Sequence, residues 1–301
     1  MSSGSPVPRS LYPFDGHVFD LGGLRYHYLD EGRGDPVVML HGNPTWSFYY
    51  RDLIRALRGE HRCIAPDHIG CGLSDKPDDT RYRYELSQRI DDLEALLAHL
   101  GVEKDLTLVC HDWGGMIGMG YAVRHPERIG RLVLMNTAAF HLPDDMRMPA
   151  SLAFVRNTAL GPFFVQRFNL FARGAAWLAP ARRMSRQLRD AYCAPYDCYE
   201  NRIATLRFVQ DIPLRPGDAS YDTVSEVEAG LGHFEQTPTL LLWGEKDFVF
   251  KPAVLALFEK RWPQAEVRRF PRAGHYVLED EGPEVASSIR DFLARHSGSP
   301  R

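Results

Sequence analysis

An aspartate set between small residues is the first candidate for chemistry in this sequence. In Cys110-His111-Asp112-Trp113-Gly114 it holds the middle of a small-x-nucleophile-x-small pattern. Small residues at both ends let a strand and a helix approach closely and leave the central side chain exposed on a tight turn. A serine there would have to lose a proton before attacking. A carboxylate, with an ordinary pKa of about 3.9, is already ionised at neutral pH. It is suited to displacing a leaving group from saturated carbon, forming an ester of its own side chain. The N-terminus of the following helix would help hold that charge. The same five residues also fit a plain turn with Asp112 as helix N-cap, and the rest of the chain must separate the two readings.

A carboxylate nucleophile commonly works with a base, and the base with an orienting acid. Asp247, in Gly244-Glu245-Lys246-Asp247, follows the apolar run 239–243, and His275, in Ala273-Gly274-His275, follows the run 265–270. Nucleophile, acid, histidine is the chain order of the α/β-hydrolase fold. Twelve histidines compete for the role; His275 is favoured by its place after the last strand and by Gly274, which permits a tight loop. His41, His68 and His111 lie near the same strand ends and are given supporting roles. Glu245 is the alternative acid, whereas Asn136, at the end of an earlier strand, carries an amide and cannot be one. Charge on a leaving group or oxyanion needs donors. Asn43 offers its amide and backbone N–H; Trp113 offers its indole and backbone N–H. Trp113 alone reads as a packing aromatic, but beside Asp112 and paired with Asn43 it reads as a second donor.

These groups need strand ends to sit on. Residues 17–20 and 24–29 flank Gly22-Gly23, a hairpin signal. The run 36–40 is apolar throughout, as in a strand buried on both faces of a parallel sheet. Residues 49–57 read as a helix, 62–66 as a strand and 67–74 as a Gly-rich loop. Leu86, Ile90, Leu93, Leu96, Leu97 and Leu100 share one helical face that Gly101 ends. Residues 106–110 and 132–135 are further strands. This alternation predicts a doubly wound, mostly parallel sheet flanked by helices, with ligands at the carboxyl ends of its strands. Between 138 and 214 strands vanish and aromatics punctuate helical segments. The expected organisation is therefore an α/β core over 1–137 and 215–301, with a helical lid, 138–214, inserted in it. Strands 239–243 and 265–270 and helices 254–261 and 285–294 complete the core. Residues 1–13, rich in Pro and Ser, are expected to be poorly ordered.

Composition narrows the classes. A chain of 301 residues that is 44% hydrophobic and 25% charged supports a large core and a soluble surface. Its net charge of −3 gives no footprint for nucleic acid. The arginines between 182 and 189, interleaved with Leu and Met, read as a solvated helix face. No apolar run approaches the roughly 18 residues of a membrane span, and the N-terminus lacks a signal-peptide core, so a cytoplasmic location is the simplest. Five cysteines without a Cys-x-x-Cys pair indicate free thiols, with no zinc site. No cofactor is implied. Gly118-Met119-Gly120 lacks the third glycine of a dinucleotide fingerprint, since Val123 stands there, and the GxG at Gly70 to Gly72 is too weak a signal alone.

His41-Gly42-Asn43-Pro44-Thr45-Trp46 together with His111-Asp112-Trp113-Gly114-Gly115 resembles the aspartate-nucleophile branch of the α/β-hydrolases, which holds haloalkane dehalogenases and epoxide hydrolases. Within it the chain is more closely similar to the β-lactone decarboxylases of bacterial long-chain olefin biosynthesis. The likeness spans 41–51, 66–70, 73–78, 111–118, 136–140, 194–196, 201–213, 247–250 and 273–280, several of them in the lid. The resemblance implies Asp112 as nucleophile, His275 and Asp247 as its partners, and Asn43 and Trp113 as donors to the departing carboxylate. It implies a hydrophobic long-chain cis-3,4-dialkyl β-lactone as substrate, an alkene and CO2 as products, and assembly with other olefin-pathway enzymes. Haloalkane dehalogenase is the nearest rival. An epoxide hydrolase would recruit Tyr192, Tyr196 or Tyr199, and a hydrolase-fold receptor would bind a hydrophobic ligand without turnover.

Overall fold

The computed structural model describes residues 6–143, 146 and 148–297. Its strands are β1 (His17–Leu21), β2 (Leu24–Glu31), β3 (Pro36–Leu40), β4 (Arg62–Pro66), β5 (Leu106–Asp112), β6 (Ile129–Thr137), β7 (Thr239–Gly244) and β8 (Glu266–Phe270). They form one sheet in the order β1-β2-β4-β3-β5-β6-β7-β8. The hairpin β1–β2 turns through Gly22 and Gly23, both at positive φ, and pairs antiparallel with β4. From β4 to β8 all pairing is parallel. A parallel sheet needs cover on both faces. Alternate residues of β3 accordingly enter two cores, Val38 and Leu40 on one side, Val37 and Met39 on the other.

The first core is closed by α2 (Leu86–His99), α3 (Trp113–Arg124), α9 (Tyr221–Gly230) and α10 (Pro252–Arg261). The second is closed by α1 (Arg51–Leu57), α11 (Val277–Asp280) and α12 (Gly282–Arg295). Between β6 and α9 come α4 (Ala150–Asn157), α5 (Leu160–Phe168), α6 (Leu170–Leu178), α7 (Arg186–Cys193) and α8 (Ile203–Gln210), with no strand among the described residues of that stretch.

Three expectations shift. Residues 1–5 lie outside the described residues, but beyond them the N-terminal segment is anchored. Val7, Tyr12 and Phe14 are buried, and the Tyr12 hydroxyl shares a 2.6 Å hydrogen bond with Ser47. The helix read over 49–57 begins as a 3₁₀ turn, Ser47–Tyr50, before α1. Helix α9 leaves no clear pattern in the sequence, because only Val224, Val227 and Gly230 of its ten residues are buried.

Helix α3 lies close against the sheet, and its glycines permit it. A Cβ on Gly114 would collide with the carbonyl oxygen of Leu40, and one on Gly115 with the Thr137 hydroxyl. Gly114→Ala is therefore expected to lower the free energy of unfolding by about 3 kcal/mol, the cost of overpacking against backbone. Urea unfolding of the two proteins measures this, and a change below about 0.5 kcal/mol would mean that α3 can shift freely.

Candidate active site

β5 is buried along its whole length and runs into Asp112, whose φ of 52° and ψ of −127° mark a strained turn directly before α3. The strand extends two residues past the apolar run, through His111 and Asp112. Although Asp112 stands at the N-cap position, its side chain makes no capping hydrogen bond. It turns instead toward Asn43, whose backbone N–H donates to Asp112 Oδ1 at 2.8 Å. A Cβ on Gly42 would occupy the place of that carboxyl, so this contact requires glycine. The plain-turn reading of the pentapeptide is thus set aside.

His275, on the loop after β8, joins the two carboxylates. Its Nδ1 lies 2.8 Å from Asp247 Oδ2, and its Nε2 lies 3.5 Å from Asp112 Oδ2. All three residues are buried. Burial opposes charge on His275, yet the Asp247 carboxylate and then Asp112 outweigh it and raise the imidazole to about 10. Burial likewise works against the Asp112 carboxylate, but His275 and the Asn43 N–H together hold its carboxyl below the ordinary value. At neutral pH the His275 imidazole is therefore held in its protonated form beside the Asp112 carboxylate.

This charge state has a consequence for stability. His275 binds its proton more tightly folded, near pH 10, than unfolded, near its ordinary pKa of about 6.5. Between those values the native state holds more protons than the unfolded chain, so stability falls as pH rises. His275 contributes fully below about pH 6.5 and loses its contribution on passing through about pH 10. Denaturant midpoints measured from pH 6 to 10 are expected to decline in the parent and to flatten in His275→Asn; equal slopes would contradict the assignment.

Other residues brace these groups. Asn136 donates to Asp247 Oδ2 at 2.9 Å and to the Gly244 carbonyl at 3.0 Å, while its own oxygen accepts from the Gly244 N–H at 2.8 Å. The amide of Asn136, which cannot itself serve as an acid, thus braces the Asp247 side chain. His111 donates through Nε2 to the His275 carbonyl at 2.8 Å; burial, followed by the charge of His275, lowers its own pKa to about 3. It is a neutral prop. His41 and His68 lie together behind the site, with His68 N–H donating to His41 Nε2 at 3.1 Å. Glu245, the alternative acid, instead faces Arg269 at 3.7 Å. The only sequence signal for Asn136 and His111 was a polar residue closing a buried strand, which does not specify a partner.

Asn43 and Trp113 line a cavity of about 1040 Å³ with Asp112 and His275 at its base. The Asn43 side-chain N–H₂ donates to the Thr205 carbonyl at 3.0 Å, leaving one of its two hydrogens uncommitted by that bond. Trp113 packs against Phe208, ring centroids 5.3 Å apart. Phe140, Phe154, Phe171, Leu178 and Phe248 are among the apolar residues that form the walls, so the cavity suits a largely hydrocarbon ligand. No group of three or more metal-ligating side chains occurs among the described residues, and no helix there is long and apolar enough to cross a membrane.

A strand–turn–helix at Asp112, a carboxylate after β7 and a histidine after β8 fit one class: the chain belongs to the α/β-hydrolase family, whose fold model matches residues 35–282. Similarity to particular relatives runs over nearly the whole chain. It is 54% identical over 285 residues to the cis-3-alkyl-4-alkyloxetan-2-one decarboxylase of Shewanella oneidensis, covering 94% of this chain and 90% of that one. The enzyme of the same name from Xanthomonas campestris pv. campestris is 48% identical over 281 residues, 91% of this chain and 94% of its own. Among solved structures, haloalkane dehalogenase DatA from Agrobacterium tumefaciens superimposes with a TM-score of 0.84 at 27% identity, covering 94% of this chain and 97% of that one. An oxetan-2-one is a β-lactone, so the likeness to β-lactone decarboxylases in a dehalogenase-like branch holds beyond the quoted motifs.

Proposed function

We propose that this chain converts cis-3-alkyl-4-alkyloxetan-2-ones into cis-alkenes and CO2. The observation that carries the reading is the 54% identity, over nearly the full length, to a relative of that name. A buried carboxylate at the base of an apolar cavity supports it.

In this reading Asp112 is the nucleophile. One of its oxygens attacks C4, the alkyl-bearing carbon bonded to the ring oxygen, from behind, forming a C–O bond as the ring C4–O bond breaks. The ring oxygen departs within a carboxylate, toward which Trp113 and Asn43 offer N–H groups. The carbon–carboxylate bond then breaks, its electron pair forms the double bond, and Asp112 leaves as carboxylate with CO2. Inversion followed by anti elimination preserves the cis relation. No water is consumed and no proton is gained or lost overall. His275, held by Asp247, serves as a charged donor that keeps Asp112 aimed and meets negative charge as it returns to that side chain. The 138–214 segment acts as a lid that keeps the alkyl chains from water. The same reading places the protein in the cytoplasm, working beside other enzymes of olefin biosynthesis.

A dehalogenase with the same triad would use His275 as a base to activate water. Incubation with a cis-3,4-dialkyl β-lactone, and separately with bromoalkanes, tests the choice. Equimolar alkene and CO2 from the lactone is the expected result; alcohol and bromide from the bromoalkane, without alkene from the lactone, would overturn it.

A further inference from the structure

The outer side of α5 and α6 is left uncovered in a way that the cavity alone does not explain. Leu160 is 60% exposed, Phe163 52%, Phe168 50%, Trp177 51% and Leu178 71%. Single exposed apolar side chains are ordinary, but a contiguous set marks a contact surface. Here the phenylalanines are contiguous, Phe163 and Phe168 lying 5.7 Å apart. Phe154, in the cavity wall, lies 6.3 Å from Phe164, which lies 5.6 Å from Phe163 and 6.0 Å from Phe168. Leu170 and Leu178 both line the cavity and are exposed, so the apolar residues of α6 reach the cavity.

The charge along this stretch is mostly basic, although Arg182 pairs with Glu281 at 3.0 Å and Arg186 with Asp190 at 3.4 Å. Residues 160–196 hold six arginines and one aspartate, a net charge of +5 within a chain whose total is −3. Arg167, Arg173, Arg182, Arg183 and Arg186 are exposed. Arg183 and Arg189 place their guanidinium carbons 4.8 Å and 3.9 Å from the Trp177 ring centre. An indole clasped by arginines is amphipathic at one spot, with apolar faces to bury and cations beside them for anions. The arginines that read from sequence as a solvated face thus rim the exposed aromatics. A second copy on this face would set like charges against each other, which disfavours that occupant.

We propose that the outer face of α5 and α6, with its arginine rim, docks on the surface of an anionic lipid bilayer, setting the cavity mouth at the membrane. The aromatics enter the headgroup boundary while the arginines meet anionic headgroups, as in interfacial helices that bind by apolar burial plus charge. Docking itself does not depend on the reaction; only its use in loading a lipophilic substrate rests on the function proposed above.

Flotation of the full chain with vesicles tests this. The parent is expected to float with vesicles of equal parts phosphatidylcholine and phosphatidylglycerol, less with phosphatidylcholine alone, and less as salt rises. Phe163→Ser with Phe168→Ser, and separately Arg183→Glu with Arg186→Glu, are each expected to lower the bound fraction by about tenfold or more. None of these four residues lines the cavity. Both variants are therefore expected to keep the parent's thermal midpoint and its turnover of a soluble short-chain β-lactone without vesicles. Failure of the parent to float, equal flotation of parent and variants, or loss of soluble turnover in the variants would each overturn the proposal. So would a parent dimer that the phenylalanine variant dissolves, since the occupant would then be a second copy. Parent flotation without any turnover of the lactone would instead remove the functional reading and leave the docking face intact.

Discussion

Asp112→Asn is expected to lower kcat by at least about 10⁴-fold, the largest effect of any single substitution in the site. A carboxamide has the shape of the carboxylate and keeps an oxygen for the Asn43 N–H, which donates to Asp112 Oδ1 at 2.8 Å in the parent. It lacks the negative charge that would open the ring. Because the cavity walls are untouched, substrate affinity is expected to stay within about threefold, so that the loss falls on kcat and spares KM. Alkene release followed by gas chromatography, with binding measured by calorimetry, separates the two. A residual rate above about a tenth of the parent's would remove Asp112 from the role of attacking group.

The second large effect belongs to His275. His275→Asn is expected to lower kcat by about 10²–10³-fold, because Asp112 loses the charged donor that aims it and stabilises its return. Alkene and CO2 are nevertheless expected to remain equimolar, with no stalled enzyme ester. The reasoning follows from the resting charge state. An imidazole raised to about 10 by Asp247 and Asp112 holds its proton at neutral pH and is a donor before it can be a base. In a hydrolytic course, esterification of Asp112 would remove that carboxylate, let the imidazole shed its proton and make it indispensable for attack by water. The variant would then accumulate the ester to one equivalent of enzyme. Intact-protein mass measured after mixing with excess lactone distinguishes the outcomes.

How much of this was legible in the sequence differs from one part of the molecule to another. Strands β3 and β4 fall where runs of apolar residues placed them, Pro36–Leu40 and Arg62–Pro66, because burial on both faces leaves an uninterrupted signal. The elbow was legible because the glycines after Asp112 are sterically enforced, with Leu40 and Thr137 directly behind them. His275 and Asp247 could be chosen by chain order alone, and their side chains meet at 2.8 Å.

What escaped is what depends on partners distant in sequence. The last two residues of β5 are polar and buried, so no local pattern extends the strand to Asp112. The N-terminal segment is held by Ser47, 35 positions beyond Tyr12, which composition cannot reveal. Helix α9 offers a weak stripe because much of its surface is exposed. The brace from Asn136 to Asp247 spans 111 positions, and the pairing of Asn43 with the Thr205 carbonyl spans 162. Such hydrogen bonds follow from the fold, and only the polar type of each residue is written in the chain. The substrate, likewise, came from resemblance and then from relatives; an apolar cavity alone admits many hydrocarbons.

The claim on which the mechanism rests is that the side chain of residue 112 becomes bonded to the substrate. Mixing the protein with excess cis-3,4-dialkyl β-lactone, quenching in acid within one turnover and mapping peptides by mass spectrometry measures this directly. The expected result is an adduct with the full mass of the lactone on the peptide containing Asp112, absent from Asp112→Asn and decaying as alkene appears. An adduct on another peptide, or alkene formed at the full rate with no adduct at any quench time, would contradict it.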